Sequence, residues 1–203
     1  GKWEKSKFTG TELYSKTLGL IGCGNIGSIV ASRALGLKMH VKVYDPFLTP
    51  ERAKEIGVTK VKINELFKIS DFISLHVPLT NSTKEIINSK TISIMKKGVK
   101  IINCARGGLV NENDLAKAIK KKKVSGAAFD VFVEEPAKSN ILFGMPEIVA
   151  TPHLGASTSE AQENVAIQIA EQMSNYLING SVTNALNLPA VSSEEAPKIK
   201  PYM

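Results

Sequence analysis

Between a short apolar run, Thr17 to Ile21, and a longer stretch of helical composition, Asn25 to Leu37, the chain reads Gly22-Cys23-Gly24-Asn25-Ile26-Gly27. Glycines serve many ordinary turns, so this spacing alone says little; placed after a strand and at the opening of a helix it says much more. Gly22 permits a tight turn, Gly24 lets backbone come close to a phosphate, and Gly27 lets helix and strand pack closely, with the amino end of the helix facing the anion. Such a turn cradles the pyrophosphate of a dinucleotide. An acidic residue is then due about 20 positions on, at the end of the second strand, to accept hydrogen bonds from the adenosine ribose. Asp45 stands there, ahead of Pro46. Its carboxylate would meet the extra phosphate of NADP as a like charge, so NAD is the expected cofactor.

The rest of the chain repeats the same rhythm of short β-rich run, turn and helical stretch, which means βαβ units around a parallel sheet. The expected strands are Thr17 to Ile21, Val41 to Tyr44, Thr59 to Val61, Phe72 to Leu75, Lys100 to Asn103, Ala127 to Asp130 and Ile148 to Ala150. The expected helices after the first are Glu51 to Ile56, Ile63 to Ile69, Ser89 to Met95 and Glu112 to Lys121, the last capped by Asn111. Ser157 to Leu177 reads as a longer amphipathic helix, with Ala161, Val165, Ala166, Ile169, Ala170, Met173 and Leu177 on one face. The fold class is α/β, a Rossmann-type doubly wound parallel sheet, over residues 1–180. Residues 181–203, with Pro189, Pro197 and Pro201, read as a linker into a further region.

Composition narrows the partners. The net charge of +7 raises nucleic acid, but arginine appears only as Arg33, Arg52 and Arg106. The densest lysine run, Lys120 to Lys123, falls where a helix should end and cations favour its dipole. No nucleic-acid partner is expected. No apolar run approaches the ~20 residues that cross a bilayer, and the opening Gly1-Lys2-Trp3-Glu4-Lys5 is charged, so neither membrane nor export is expected. Cys23 and Cys104 are too few for a disulfide framework or a thiolate metal site. The cytoplasm is the expected compartment, and no metal is expected.

Three later segments put polar residues where strands should end, the edge at which open parallel sheets bind ligands. They are Asn103-Cys104-Ala105-Arg106-Gly107-Gly108, Asp130-Val131-Phe132-Val133-Glu134-Glu135-Pro136, and Thr151-Pro152-His153-Leu154-Gly155-Ala156-Ser157. With the glycine turn and Asp45, in this order, they resemble the D-isomer-specific 2-hydroxyacid dehydrogenases from about Gly1 to Leu188. The resemblance implies that Arg106 holds a substrate carboxylate, His153 exchanges the proton of the C2 hydroxyl, and Glu135, rather than Glu134, pairs with His153. The chemistry agrees: arginine can grip a carboxylate through two parallel bonds, and a histidine beside a carboxylate can act as base and as acid near neutral pH. The same resemblance places Gly22, Gly24, Asn25, Ile26, Gly27, Asp45, Pro78, Cys104, Arg106, Asp130, His153 and Gly155 along the cofactor cleft, with Asp130 near the nicotinamide carboxamide. His76 falls in a loop beside the cofactor and His40 is read as structural; neither is given a proton-transfer role.

Members of that family also build a smaller substrate domain from the beginning and end of the chain. Gly1 resembles the stretch just after a crossover helix, and Ser192 to Met203 a linker into further domains, so the expectation is an excised fragment with a largely absent substrate domain and feeble turnover. The implied partners are a small 2-hydroxy acid and a second copy of the chain, paired through the nucleotide-binding domain by the long helix after His153. A dinucleotide-sensing co-repressor on the same fold is the alternative from another functional class.

Overall fold

The computed structural model describes residues 1, 3–185, 187, 191, 192 and 194; most of the expected linker, Leu188-Pro189 included, lies outside the described residues. The chain forms two compact units, Gly1–His153 and Leu154–Met203. In the first, a 3-10 turn at Lys5–Phe8, which the sequence pattern did not reveal, precedes β1 (Thr17–Ile21), α1 (Asn25–Gly36), β2 (His40–Tyr44), α2 (Pro50–Ile56), β3 (Thr59–Lys60), α3 (Ile63–Ile69) and β4 (Phe72–Leu75). There follow α4 (Ser89–Ile94), β5 (Val99–Asn103), α5 (Glu112–Lys120), β6 (Val124–Phe129) and β7 (Ile148–Ala150).

The seven strands form one sheet in the order β3-β2-β1-β4-β5-β6-β7, and every neighbouring pair is parallel. The chain starts at the middle, winds out to β3, then returns across β1 and winds out the other way. That reversal between β1 and β4 is the switch point of a doubly wound sheet. Register is uniform there: Ile21 lies opposite both Tyr44 and Leu75, so strand ends on either side of β1 are level.

Strands buried on both faces explain the unbroken apolar runs read in the sequence. Alternation along β1 sends Leu18 and Leu20 into a cluster with Ala31 and Ala34 of α1 and Val41 and Val43 of β2. Ile21 joins a larger cluster with Leu66 and Phe67 of α3, Ile73 and Leu75 of β4, Ile101 of β5 and Leu115 of α5. Local chemistry starts and stops the helices, at Asn111 and at the lysine run as expected. Thr49 accepts from the Arg52 N–H at 3.2 Å ahead of Pro50, and Asn111 accepts from the Asp114 N–H at 2.9 Å. The lysine run closes α5: Lys122 takes a left-handed φ of 56°, and Lys123 Nζ donates to the carbonyls of Ser93 and Met95, so part of that charge holds helix ends rather than facing solvent.

Several strand ends differ from expectation: β2 and β5 each begin one residue earlier, at His40 and Val99. Val61 and Asp130 each keep one ladder bond, to Val43 O and Asn103 O, yet lie past the ends of β3 and β6. The strand β6 begins three residues earlier than its pattern shows, because Val124 and Gly126 pair with Val99 and Lys100 across a bulge. Ser125-Gly126 reads locally as a breaker, and tertiary pairing overrides it.

The second unit contains α6 (Ser159–Asn179), capped by Thr158 at its start and by left-handed Gly180 at its end. None of its residues is buried; Val165, Ile169, Met173 and Leu177 are all exposed. Val182 and Val191 bridge in antiparallel fashion and bury one another. No helix among the described residues is long and apolar enough to cross a membrane.

Leu75 is wholly buried at the carboxyl end of β4. Leu75→Ala is expected to reduce the free energy of unfolding by about 2–5 kcal/mol, measured by denaturant titration, because the close-packed sheet cannot collapse into the space left behind.

Candidate functional site

The glycine turn takes the form its spacing requires. Gly22 sits at φ +94°, and a Cβ there would lie 2.4 Å from His76 O, so both its backbone and its surroundings exclude a side chain. A Cβ on Gly27 would lie 2.3 Å from Gly22 O, whereas one on Gly24 would meet nothing within 4 Å. The turn is thus closed behind and open in front, at the start of α1. No side chain caps that helix and no acidic residue sits in its first turn, so its amino-end N–H donors suit an anion. A dinucleotide fits this cradle: Gly24, Asn25 and Ile26 face Pro78, Cys104 and Arg106 around one cleft of about 260 Å³.

His76 joins that lining. Its Nε2 lies 2.9 Å from Ser74 Oγ, and burial pushes the imidazole below its ordinary range, favouring the neutral ring. Asp45 closes the β2 end, its two carboxylate oxygens accepting from Cys23 N at 2.7 Å and Phe47 N at 2.8 Å. Beside it, Tyr44, Lys60 and Lys62 line a separate cavity of about 580 Å³. Cys23 is buried and Cys104 is exposed in the cleft; both thiols are pushed up, chiefly by desolvation, so neither presents a ready thiolate.

The loop after β5 is held from within. Buried Asn103 accepts from Ala105 N at 3.1 Å and donates to Arg106 O at 2.9 Å, which leaves the Arg106 side chain exposed and bonded to Ala105 O at 2.6 Å. A Cβ on Gly107 would lie 1.8 Å from Phe132 O, so this loop presses directly on the one after β6. There Glu135 accepts from Phe132 N at 3.0 Å through Oε1 and meets His153 Nδ1 at 2.7 Å through Oε2. It is Glu135, not Glu134, that makes this contact. His153 takes a left-handed φ of 55° to do so.

Arg106 lines the first cleft and His153 a second, of about 560 Å³, walled by Asp130, Phe132, Glu135, Phe143 and Thr151. The Gly107–Phe132 contact is where the two clefts' loops meet. Gly155 lies in the second unit, in the turn ahead of α6. Two supporting residues, Asn103 and Thr151, open segments that the sequence marked out but were given no role there. Thr151 donates to Asp130 Oδ1 at 2.5 Å, and Asn103 braces its loop; each is a polar residue at a strand's carboxyl end, which is the signal that could have assigned them a role.

Over residues 1–155 the chain matches the family described as D-isomer specific 2-hydroxyacid dehydrogenase, NAD binding domain. It is 49% identical over 201 residues to a D-3-phosphoglycerate dehydrogenase of Bacillus subtilis, covering 99% of this chain and 38% of that protein. To the D-3-phosphoglycerate dehydrogenase of Methanocaldococcus jannaschii it is 47% identical, covering 100% of this chain and 39% of that one. The chain therefore spans little more than a third of the length of the curated relatives it matches. Among solved structures it is similar to the NAD-complexed D-isomer specific 2-hydroxyacid dehydrogenase of Lactobacillus delbrueckii, with 32% identity and a TM-score of 0.77 over 90% of this chain and 58% of that one.

The hydrogen bond from His153, followed by that from Phe132 N–H, holds the Glu135 carboxyl below its ordinary range. A carboxyl depressed in the folded state contributes stability above its unfolded pKa and loses it as pH falls through the folded value. Carbon-13 NMR of Glu135 should give a midpoint below about 4.3, the unperturbed glutamate value. In His153→Ala the midpoint should move up; no movement would mean that the contact does not form in solution.

Proposed function

Because this chain belongs to the D-isomer-specific 2-hydroxyacid dehydrogenase family and carries its NAD-binding domain, we propose that it is the cofactor-binding part of a D-3-phosphoglycerate dehydrogenase, oxidising D-3-phosphoglycerate to 3-phosphohydroxypyruvate at the entry to serine biosynthesis. The observation that carries this reading is the Glu135–His153 pair, set at the sheet's carboxyl edge beside the Arg106 loop. Phosphoglycerate rather than another 2-hydroxy acid is supported by the relatives it resembles.

The residues divide the work in a way their contacts support. Arg106 grips the substrate carboxylate, its guanidinium projecting from a loop that Asn103 keeps rigid. His153 directs Nδ1 to Glu135 and so offers Nε2 to the C2 hydroxyl, taking its proton in oxidation and returning it in reduction. Glu135 fixes the ring and stabilises the imidazolium that forms. Bound NAD supplies the acceptor for the C2 hydrogen. Asp130, oriented by Thr151, serves the carboxamide; Gly22, Gly24 and Gly27 with the amino end of α1 hold the pyrophosphate; Asp45 takes the ribose hydroxyls and rejects a 2′-phosphate. We assign residues 1–180 to this domain and place the protein in the cytoplasm, in keeping with two unpaired cysteines.

NADH consumption by the complete gene product, offered 3-phosphohydroxypyruvate beside glyoxylate and pyruvate, tests the activity. Fast turnover of the phosphorylated substrate alone, lowered about 10²–10⁴-fold in His153→Ala, is expected. Turnover of glyoxylate or pyruvate instead would reassign the substrate. NADH binding without turnover of any of the three would favour a dinucleotide-sensing regulator.

The exposed apolar residues of α6 support pairing of two copies through this helix. Sedimentation equilibrium should report a dimer mass; a monomer at high concentration would contradict it.

A further inference from the structure

In the parallel pair β1–β2, Ile21 lies opposite Tyr44, and the ladder continues one step past the strands as Gly22 N–H donates to Tyr44 O at 2.9 Å. Alternation along the strand would aim the following donor, Cys23 N–H, toward β4, but left-handed Gly22 at φ +94° ends the strand and Cys23 N–H meets no strand carbonyl. It donates instead to Asp45 Oδ2 at 2.7 Å, while Oδ1 accepts from Phe47 N–H at 2.8 Å. The segment after Asp45 is itself tied down, because Lys60 Nζ from the end of β3 donates to Leu48 O at 2.6 Å and to Pro46 O at 3.5 Å. On the other side, Gly22 is confined by His76 O.

From this geometry we infer that Asp45 is a positioning residue for the glycine turn: its carboxylate takes the Cys23 N–H that Gly22 turns out of the strand and sets the course of Gly22–Gly24 before any dinucleotide arrives. What the turn is set for rests on the NAD-binding reading; the brace itself does not. A carboxylate suits the task because both oxygens accept, each with a lone pair left for a ribose hydroxyl. Asparagine has one accepting oxygen, and its amide would turn N–H toward N–H at either Cys23 or Phe47. Bonds to a charged acceptor are also roughly twice as strong as neutral ones. Asp45 therefore acts on the pyrophosphate cradle through the turn, besides acting on the ribose. Replacing it to admit NADP loosens the cradle for both cofactors.

The test compares the unaltered chain with Asp45→Asn. Without ligand, NMR hydrogen exchange should be about tenfold faster in the variant at one or both of the Cys23 and Phe47 amides, the scale of one lost bond to a charged group. Affinity for an NAD analogue lacking the adenosine 2′ and 3′ hydroxyls is then measured where circular dichroism shows both proteins folded. It should fall about tenfold, although the analogue offers Asp45 no hydroxyl. Unchanged exchange, or faster exchange with unchanged analogue affinity, would overturn the inference. Asp45→Ser, which keeps one short acceptor, is read the same way should Asp45→Asn not fold. If the unaltered chain bound neither NAD nor the analogue, the cofactor reading would fail, while the exchange comparison would still decide whether Asp45 holds the turn.

Discussion

A parallel ladder leaves the carboxyl ends of all its strands at one edge, and in this chain that edge is where the chemistry collects. Gly22, Asp45, His76, Asp130 and Thr151 each directly follow a strand, and Asn103 ends one. Level register between β1, β2 and β4 keeps the first three near a common height, and the reversal of winding beside β1 opens the crevice between the two halves. Had one strand run the other way, its terminal residues would lie at the opposite edge. The apolar core serves the site in this sense: it fixes direction and register, and direction and register bring distant loops together.

The loops at that edge are ordered by their own polar side chains rather than by further secondary structure. Asp45 answers two backbone N–H groups, Asn103 one N–H and one carbonyl, and Glu135 one N–H. Each bond ties a functional segment to a strand end or closes its own loop, which limits how far Arg106, His153 or the glycine turn can stray. Preorganisation of this kind is what positioning a substrate and a proton acceptor demands. It also makes several residues serve twice: Glu135 braces the Phe132 loop and holds His153, and Asp45 braces the turn that it borders.

Much of this was legible from residue order. The strand–glycine–helix passage announced the crevice because the left-handed backbone of Gly22 and the contact of Gly27 with Gly22 O are local constraints, written within six residues. Asn111 with its acidic first turn marked a helix start because capping involves only residues three or four apart. The beginning of β6 was hidden, since Ser125 and Gly126 favour a turn locally and become strand only because β5 lies alongside. Lys123 was hidden too: in the sequence it belongs to a solvated run, while in the fold it meets carbonyls at the end of α4.

By itself, then, the sequence determined the fold class, the glycine cradle, the identity of the residues at the strand ends and, through resemblance, the role implied for each. These rest on short-range sterics, on hydrophobic period and on motif order, all of which are written along one chain. Only the tertiary structure decided how Glu135 reaches both His153 and the Phe132 N–H, that Thr151 aims Asp130, that Gly107 must be bare to let two loops touch, and that Asp45 faces Cys23 as well as the open cavity. The physical reason is common to all four. A hydrogen bond or a steric contact between residues 18 to 25 positions apart depends on how strands align and loops curve, and that alignment is settled by the packing of the whole sheet rather than by either partner.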